Sequence, residues 1–374
     1  MIIDLGSDFP PHMLTTLKSL NTSSIFRPTP HRLTTHGWNK YGSEADPDFR
    51  AFKYLTPKMR VEVKDFFGEG GAGWVGVRIR ALHMICSPER AGRSVRELWS
   101  LLDQADAGLR TKPRPLVLWE PIPDLCTPET REEMFEATSL VDVVSPNDGE
   151  LAGFFTDELA EEEQHTRTHE EIKLQVERLA KKLATQRRMC GDPDRGCGAI
   201  IVRCGALGCY IVTQDEPNPN FNFAVGERKK EEKKEEGNIP ITAFWLPAYH
   251  DHTPEKVVDP TGAGNAFIGG LAIGLRRPLI PVKAGALKRW EKWPGMKKWV
   301  VAVAYASVAA SFVIEQVGIP VVTSREGEEE RWNGEVVGER VVRYLKRIVR
   351  EEVGVERVDE RGRRGMVWLA GEYE

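Results

Sequence analysis

The chain has 374 residues, of which 41% are hydrophobic and 29% are charged, and its formal net charge is −4. This composition excludes wholesale disorder and provides enough apolar residues for one large α/β domain or two smaller ones. Acidic and basic residues nearly balance, so there is no electrostatic case for a nucleic-acid partner or for binding to a membrane surface. Six scattered cysteines without a CxxC pair, and a start that lacks the basic residues of a signal peptide, predict a cytoplasmic protein with reduced thiols.

Strand-like and helix-like segments alternate from residue 78 onward. The helix patterns carry start signals, with Ser94 as the N-cap of one helix and Thr127 followed by proline at the start of the next. Alternation at this spacing predicts right-handed crossovers and a mostly parallel sheet. The strands are predicted at 78–88, 115–121, 140–147 and 199–203, and the helices at 94–108, 127–140 and around 172–183.

Three of the predicted strands end in a polar residue that is followed by proline. These residues are Ser87, Glu120 and Ser145. Ligands of open α/β sheets bind at the carboxyl ends of strands, where such residues would meet. Proline after a polar residue is also ordinary in loops, so this pattern alone does not identify a site.

Three later segments predict structure rather than chemistry. The apolar run 299–314 is shorter than the roughly 18–20 residues of a membrane span, and we predict a helix buried against the sheet. The mixed-charge run 226–238 has no apolar anchor and predicts a mobile, solvated loop. The pattern of 336–353 predicts an amphipathic helix on the outside of the domain.

The segment VVDPTGAGNAF at 257–267 has the build of an anion-binding turn. Gly262 and Gly264 permit backbone angles that let successive amides point the same way, and a helix that begins near Asn265 adds its unpaired amides and the positive end of its dipole. An ordinary glycine-rich turn between a strand and a helix would have the same composition. The two histidines just upstream, His250 and His252, are expected to be solvent-exposed, and His83 is expected in the core.

Longer motifs favour the anion-binding interpretation. DPTGAGNAFIGG resembles the C-terminal signature D-x-T-G-A-G-D-x-F-x-G-G of the PfkB (ribokinase-like) carbohydrate kinases, with Asn265 at the position of the second aspartate. VVSPNDGEL resembles the N-x-x-E motif, IIVRCGALGCYIV resembles the strand with G-x-x-G on the nucleotide side, where Arg203 stands in place of a frequent threonine, and IIDLGSDFPPHMLTTL resembles the G-x-D-x-x-G segment. Within the family the chain is most similar to the fungal maintenance-of-killer type.

The resemblance implies a fold, cofactors and a set of roles. The fold would be a ribokinase-like three-layer α/β/α sandwich over residues 1–322, with residues 323–374 forming a charged linker and the C-terminal helix. The cofactors would be ATP, Mg²⁺ and a monovalent cation such as K⁺. The implied roles are an anion hole at Gly262, Ala263 and Gly264, a monovalent-cation site near Asp259 and Thr261, hydrated Mg²⁺ and phosphates at Asn147 and Glu150, the nucleotide border at Gly205 and Gly208, and the catalytic-base position at Asn265.

Two departures from the family bear on activity. An aspartate at the position of Asn265 would remove the proton from the substrate hydroxyl, whereas an amide holds that hydroxyl without accepting its proton. Loss of a general base typically lowers a rate about 10²- to 10⁴-fold. The family's first strand, its lid and a Gly-Gly substrate motif normally precede the segment that begins at Gly6 here, so we expect a truncated N-terminal strand and lid.

Three functional hypotheses remain open. The first is a slow ATP-dependent kinase acting on a hydroxyl of a sugar or similar small metabolite. The second is a non-catalytic homologue that binds nucleotide or sugar and acts through a protein partner or a second copy of itself. The third is an inert α/β domain that binds no nucleotide.

Overall fold

A computed structural model describes most of the chain, in eleven stretches. Within these residues the chain divides into two compact units, one formed by Met1–Arg78 with Arg96–Arg110 and the other by Ile79–Val95 with Thr111–Glu374. The predicted mobile loop 226–238 lies outside the described residues. The described stretches are 1–43, 46–67, 79–105, 114–159, 168–186, 198–214, 241–276, 296–323, 329–351, 353–358 and 364–369.

The smaller unit contains two short sheets. Strands β1 (Ile2–Gly6) and β2 (Ile25–Thr29) pair in parallel, and helix α1 (Pro11–Ser19) lies between them in sequence. Strands β3 (Gly37–Ser43) and β4 (Asp46–Tyr54) pair antiparallel. The carboxylate of Asp8, in the segment that resembles G-x-D-x-x-G, accepts from the Thr34 amide and contacts the His36 ring, each at 2.7 Å. These hydrogen bonds lower the pKa of Asp8 to about 2, and the bond from the Thr34 amide contributes most.

The larger unit holds the remaining helices and strands. The helices are α2 (Pro88–Ala105, which continues into the smaller unit), α3 (Arg131–Thr138), α4 (Asp148–Gly153), α5 (His169–Gln186), α6 (Ala263–Arg276), α7 (Met296–Ile314) and α8 (Val337–Arg350). The strands are β5 (Ala81–Cys86), β6 (Leu116–Pro121), β7 (Val143–Val144), β8 (Ala199–Arg203), β9 (Cys209–Gln214), β10 (Ile241–Leu246), β11 (Val322–Thr323), β12 (Arg331–Trp332), β13 (Glu335–Val336), β14 (Val353–Val358) and β15 (Arg364–Leu369).

One eight-stranded sheet organises the larger unit, in the order β15-β14-β10-β9-β8-β7-β6-β5. The four strands from β5 to β8 are parallel neighbours, and each pairing from β8 to β15 is antiparallel. Only β9 and β14 of the eight therefore run against the common direction, which confirms the mostly parallel sheet. Because β5 to β8 are parallel, their carboxyl ends share one edge of the sheet.

Helices cover both faces of this sheet. One face, which includes Leu118, Ile201 and Phe244, packs against α6, α7 and α8 in a single buried apolar cluster. On the other face, Tyr210 and Trp245 lie with ring centroids 5.1 Å apart, and the Trp245 indole donates to Glu177 of α5 at 2.8 Å. Helix, sheet and helix form three layers, so the predicted ribokinase-like α/β/α sandwich is confirmed.

Close contact between α6 and α7 explains the last glycine of the long motif. A Cβ atom on Gly270 would lie 2.5 Å from the carbonyl oxygen of Tyr305, and one on Gly274 would lie 2.6 Å from the Cα of Ala302. Glycine at these two positions lets the backbones of the helices touch. Helix α7 is long and apolar enough to be a candidate span by length and composition, but 67% of its most apolar window is buried inside the protein. The prediction of a buried helix at 299–314 is confirmed.

The C-terminal segment is part of the same core. The predicted amphipathic helix is α8, and its side chains Val341, Tyr344 and Ile348 are almost fully buried in the cluster that contains α6 and α7. Strand β14 then pairs with β10 inside the central sheet. Helix α8 and strand β14 thus pack into the larger unit, while the predicted division of the chain at residue 322 stays a prediction.

One helix boundary also differs from its prediction. Helix α2 begins at Pro88, six residues before the expected cap at Ser94, which is buried within the helix. Proline is favoured in the first turn of a helix, where its missing amide has no partner to lose. The Pro88 that follows the polar strand end is thus a helix start.

Candidate functional site

The glycine turn is fastened to the end of α7. The amides of Val258 and Asp259 both donate to the carbonyl of Ile314, at 2.8 and 3.1 Å. The Asp259 carboxylate accepts from the Thr261 amide at 2.9 Å. Hydrogen bonds with the side chain and the amide of Thr261 lower the pKa of Asp259, and the side chain contributes most. Gly262 has φ +85°, in the left-handed region that glycine tolerates. The turn therefore has a fixed geometry that depends on glycine.

Helix α6 starts directly after this turn. The Ala263 amide donates to Pro260 at 3.2 Å, and the Ala266 amide donates to Gly262 at 3.0 Å. The amides of Gly264 and Asn265 lie between them in the first turn, where helical amides have no partner within the helix and the dipole is positive. Asn265 is exposed as the third residue of the helix. The turn can therefore present donors to an anion.

Asn147 and Glu150 form a capping box at the start of α4. The Asn147 side chain accepts from the Glu150 amide at 2.7 Å, and the Glu150 carboxylate accepts from the Asn147 amide at 2.8 Å. This reciprocal pairing follows from the N-x-x-E spacing, which places the two side chains one turn apart. Glu150 is only 7% exposed. Both motif residues thus have a structural role at the carboxyl end of β7.

Arg203 joins these two motifs. Its Nη2 lies 2.8 Å from Glu120 Oε1 and 3.4 Å from Glu150 Oε2, and it donates to the Ser145 carbonyl at 3.0 Å. A Cβ atom on Gly264 would lie 2.3 Å from Arg203 Nη1 and 3.2 Å from Glu120 Oε1. Strand ends β6, β7 and β8 therefore meet the glycine turn at one place. We call Arg203, Glu120 and Glu150 the strand-end cluster.

The pKa values of the two carboxylates of this cluster shift in opposite directions. Burial alone would raise the pKa of Glu120, but the His83 ring at 3.3 Å and the Arg203 guanidinium outweigh it and lower the pKa. For Glu150, burial prevails over Arg203 and raises the pKa to about 7. The difference follows from the partners, because Arg203 is closer to Glu120 and His83 contacts that carboxylate. At neutral pH one carboxylate is ionised and the other is close to half-protonated.

Gly205 and Gly208 turn the chain between β8 and β9. Both have positive φ, at +53° and +87°, and the Cys204 amide donates to Gly208 across the turn at 2.8 Å. A Cβ atom on Gly208 would lie 2.1 Å from the carbonyl oxygen of Leu246, whereas one on Gly205 would meet no atom within 4 Å. Packing accounts for Gly208. Space and conformation leave Gly205 compatible with the predicted border of a nucleotide, which stays a prediction.

The implied cofactors fit this site to different degrees. For the phosphates of ATP, the turn offers the amides of Gly264 and Asn265 in the first turn of α6, and Arg203 Nη1 lies against the backbone at Gly264. For Mg²⁺, the Asn147 and Glu150 oxygens already accept backbone amides, so these residues do not form a direct metal site. The predicted hydrated ion needs no direct ligand, and that role stays a prediction, as does the monovalent cation near Asp259 and Thr261.

One other group of potential metal ligands exists among the residues that the structure covers, and it lies outside the predicted set. Asp251, His252 and Glu351 have ligand atoms within 4.8 Å of one another. Arg347 pairs with Asp251 at 2.8 Å. The guanidinium already offsets one of the two carboxylates of this group. His252 is exposed, as expected. The prediction that His250 is exposed is wrong, because this side chain is 6% exposed and contacts Glu315 at 3.0 Å.

The roles of Glu120 and Arg203 do not emerge from the sequence motifs. A signal existed for each, since Glu120 precedes proline at a strand end and Arg203 ends an otherwise apolar strand. Neither signal identifies a partner, because the two residues are 83 positions apart in sequence. His83 is half-buried beside Glu120, so the expected core position is only partly correct.

Comparisons with known proteins agree with this architecture. No profile of a protein family matches the chain. Protein MAK32 of Saccharomyces cerevisiae is 30% identical over 347 residues, covering 92% of this chain and 77% of that protein. An uncharacterised protein of Schizosaccharomyces pombe is 29% identical over 364 residues, covering 97% and 84%.

A solved structure shows the same fold. Adenosine kinase from Schistosoma mansoni, in complex with 2-fluoroadenosine, matches with a TM-score of 0.50 and 14% identity, over 87% of this chain and 76% of that chain. The fungal relatives and the shared fold agree with the long glycine motif and its position at the carboxyl ends of parallel strands. The chain therefore belongs to the PfkB (ribokinase-like) kinase family, in the fungal branch that contains MAK32.

Proposed function

We propose that this protein binds ATP and transfers its γ-phosphoryl group to a hydroxyl of a sugar or a similar small metabolite. The observation that supports this most is the meeting of the glycine turn with the strand-end cluster. Amide donors at the start of α6 and the guanidinium of Arg203 converge where a terminal phosphate would bind. Such preorganised donors are each worth about 2.7–4 kcal/mol in a transition state.

The reaction needs little covalent chemistry from the protein. The hydroxyl oxygen forms a bond to the γ-phosphorus, the bond from that phosphorus to the β-bridging oxygen breaks, and ADP leaves with the electron pair. The α6 amides would stabilise the charge on the transferred group, and Asn265 would orient the hydroxyl. The proton of the hydroxyl would pass to water or to a carboxylate. Mg²⁺, when bound with the nucleotide, supplies further charge neutralisation, and Glu150 would hold it through water.

Asn265 favours a second candidate, a homologue that binds nucleotide without turnover. The amide cannot act as a base, and the carboxylate of Glu120 next to the turn is already paired with Arg203 and His83. In this alternative the protein, in the cytoplasm, would act through a protein partner or a second copy.

Turnover by the wild type and by two variants tests the proposal. The wild type is incubated with ATP and Mg²⁺ and a panel of sugars and nucleosides, and ADP is measured. We expect slow ADP formation that depends on one class of acceptor. Asn265→Asp should raise kcat by about 10²-fold or more, because general base catalysis is worth at least that much. Gly264→Val should abolish turnover, because its side chain would occupy the position of Arg203 Nη1.

The same measurements discriminate between the two candidates. If neither the wild type nor Asn265→Asp forms ADP with any acceptor while both bind ATP, the kinase proposal is wrong and the non-catalytic homologue remains. Asn265→Asp restores the family's residue and leaves Arg203, Glu120 and Glu150 unchanged. An absence of turnover in this variant could therefore not be attributed to loss of the strand-end cluster.

A further inference from the structure

We propose that Arg203 is a phosphate clamp: its Nη1 and the first amides of α6 together bind the terminal phosphate of the nucleotide. This inference rests on the proposed function and deepens it. It assigns the main recognition of the triphosphate to a side chain that stands where the family often has threonine.

The geometry of the guanidinium supports a divided role. All three contacts of Arg203 with the carboxylates and the Ser145 carbonyl are made by Nη2. The opposite nitrogen, Nη1, is the atom next to Gly264, where it lies 2.3 Å from the point that a Cβ atom on this glycine would occupy. Arginine presents five N–H donors in a rigid fork, so fixing one nitrogen determines where the other points. The strand-end cluster therefore holds one end of the fork and directs the other at the glycine turn.

The charges of the cluster are consistent with binding an anion. The guanidinium lies 2.8 Å from the Glu120 carboxylate and 3.4 Å from the Glu150 carboxylate, so it offsets negative charge that would otherwise lie beside the turn. A cluster with both carboxylates ionised and no cation would repel a phosphate. Arg203 offsets part of this negative charge and offers donors of a charged group, which form hydrogen bonds roughly twice as strong as neutral donors do.

The accessibility of the Arg203 side chain is compatible with a ligand at Nη1. The Nε of Arg203 is buried and has no hydrogen-bond partner within the part of the chain that the structure describes. The side chain as a whole is 15% exposed, so the guanidinium can be reached from solvent. The Nε–H points to the Nη2 side of the guanidinium, so a phosphate oxygen would form its charge-assisted hydrogen bond with Nη1 alone.

Calorimetric titration with adenosine, AMP, ADP and ATP tests the inference, because it separates phosphate recognition from recognition of the nucleoside. We expect the affinity of the wild type to increase with the number of phosphates. In Arg203→Gln the affinity for ATP should fall about 10-fold or more, since 10-fold corresponds to the loss of about one charged hydrogen bond. The affinity for adenosine should stay unchanged. Arg131→Gln is the matched control, because Arg131 pairs with Asp157 on the surface at 2.8 Å.

A second variant guards against misfolding. Arg203→Gln leaves Glu120 buried without its cation, so the double variant Arg203→Gln with Glu120→Gln removes both charges, and thermal melts verify that it is folded. It should show the same selective loss for ATP. If either folded variant binds ATP as well as or better than the wild type does, Arg203 obstructs the turn and the inference is wrong, while the proposed function stands. If the wild type binds no nucleotide, the proposed function is wrong and the clamp with it.

Discussion

At the scale of single residues, the site is determined by how one guanidinium is shared between two carboxylates. Glu120 has Arg203 at 2.8 Å and His83 at 3.3 Å, whereas Glu150 has Arg203 at 3.4 Å and little solvent. These different partners give two carboxyl groups of the same chemistry different pKa values. The N-x-x-E spacing predicts where Glu150 lies along the chain, but the burial that changes its protonation comes from residues far away in sequence.

This burial makes stability depend on pH through Glu150. Its carboxyl has an ordinary pKa of 4.5 in the unfolded chain and about 7 in the folded one. Between these pH values the folded protein keeps a proton that the unfolded chain has released, so the stability falls as the pH rises from 4.5 to 7. Glu150→Gln removes this loss and still offers an oxygen to the Asn147 amide. As the pH rises from about 5 to about 8, the free energy of unfolding of Glu150→Gln should increase relative to that of the wild type by up to about 3 kcal/mol.

Urea unfolding of both proteins at the two pH values measures the effect. The comparison between variant and wild type cancels the contribution of groups that titrate in both proteins. Glu315 is one of them: burial alone would raise its pKa, but its hydrogen bonds to His250 and Arg340 lower the pKa to about 2. A difference between the two proteins that does not change with pH would contradict a raised pKa for Glu150.

At the scale of elements, the site depends on α6 being held close to α7. The start of α6 carries the anion-binding amides, and the end of α7 accepts the two amides that lead into the turn. Further along, Gly270 and Gly274 let the two backbones touch. Packing between these helices therefore sets the position of the turn.

Two neighbouring glycines of α6 test this packing. Gly269 is exposed with no atom within 4 Å of an added Cβ, whereas a Cβ on Gly270 would lie 2.5 Å from the Tyr305 carbonyl oxygen. Gly269→Ala should stabilise the protein by about 0.5–1 kcal/mol, because alanine loses less entropy in a helix. Gly270→Ala should destabilise it by about 1–3 kcal/mol through overpacking. Chemical denaturation of the pair measures both, and equal effects at the two positions would contradict the close approach.

The four parallel strands β5 to β8 of the central sheet could be predicted from the sequence, because their apolar runs are short and bounded by polar residues. The helix α5 was predictable from its period, since Val176, Leu179 and Leu183 lie on one buried face. Two features were not predictable. The start of α2 at Pro88 follows from a proline that also suits a loop, and the antiparallel direction of β9 and β14 depends on pairing between distant segments.

At the scale of the whole molecule, the C-terminal residues complete the fold of the larger unit. Helix α8 covers α7 and the sheet, and β14 extends the sheet beyond β10. The charged composition of residues 323–335 suggested a linker because a surface loop and a linker have the same composition. Only the long-range pairing of β14 distinguishes the two.

A chain that ends at Thr323 should therefore not fold. It lacks seven core residues of α8 and β14: Val341, Tyr344, Leu345, Ile348, Val349, Val353 and Val355. Each buried apolar side chain contributes about 1.5–3 kcal/mol, so the loss is at least comparable to the roughly 5–15 kcal/mol that stabilise a typical protein. A chain that ends at Val358 keeps all seven and should retain a cooperative thermal transition. Circular dichroism during heating measures both, and a cooperative transition in the shorter chain would show that the boundary near residue 322 is real.

The contact of Gly208 with the Leu246 carbonyl affects how alleles of this protein should be interpreted. A screen for null alleles would recover substitutions at Gly208, because the displaced backbone would expose the chain to cellular proteases and lower its abundance. Such alleles would resemble a binding defect in any growth assay. Alleles at Gly205, where an added side chain meets open space and only the positive φ opposes it, would keep a much higher abundance, and immunoblotting of the two sets would separate degradation from loss of ligand.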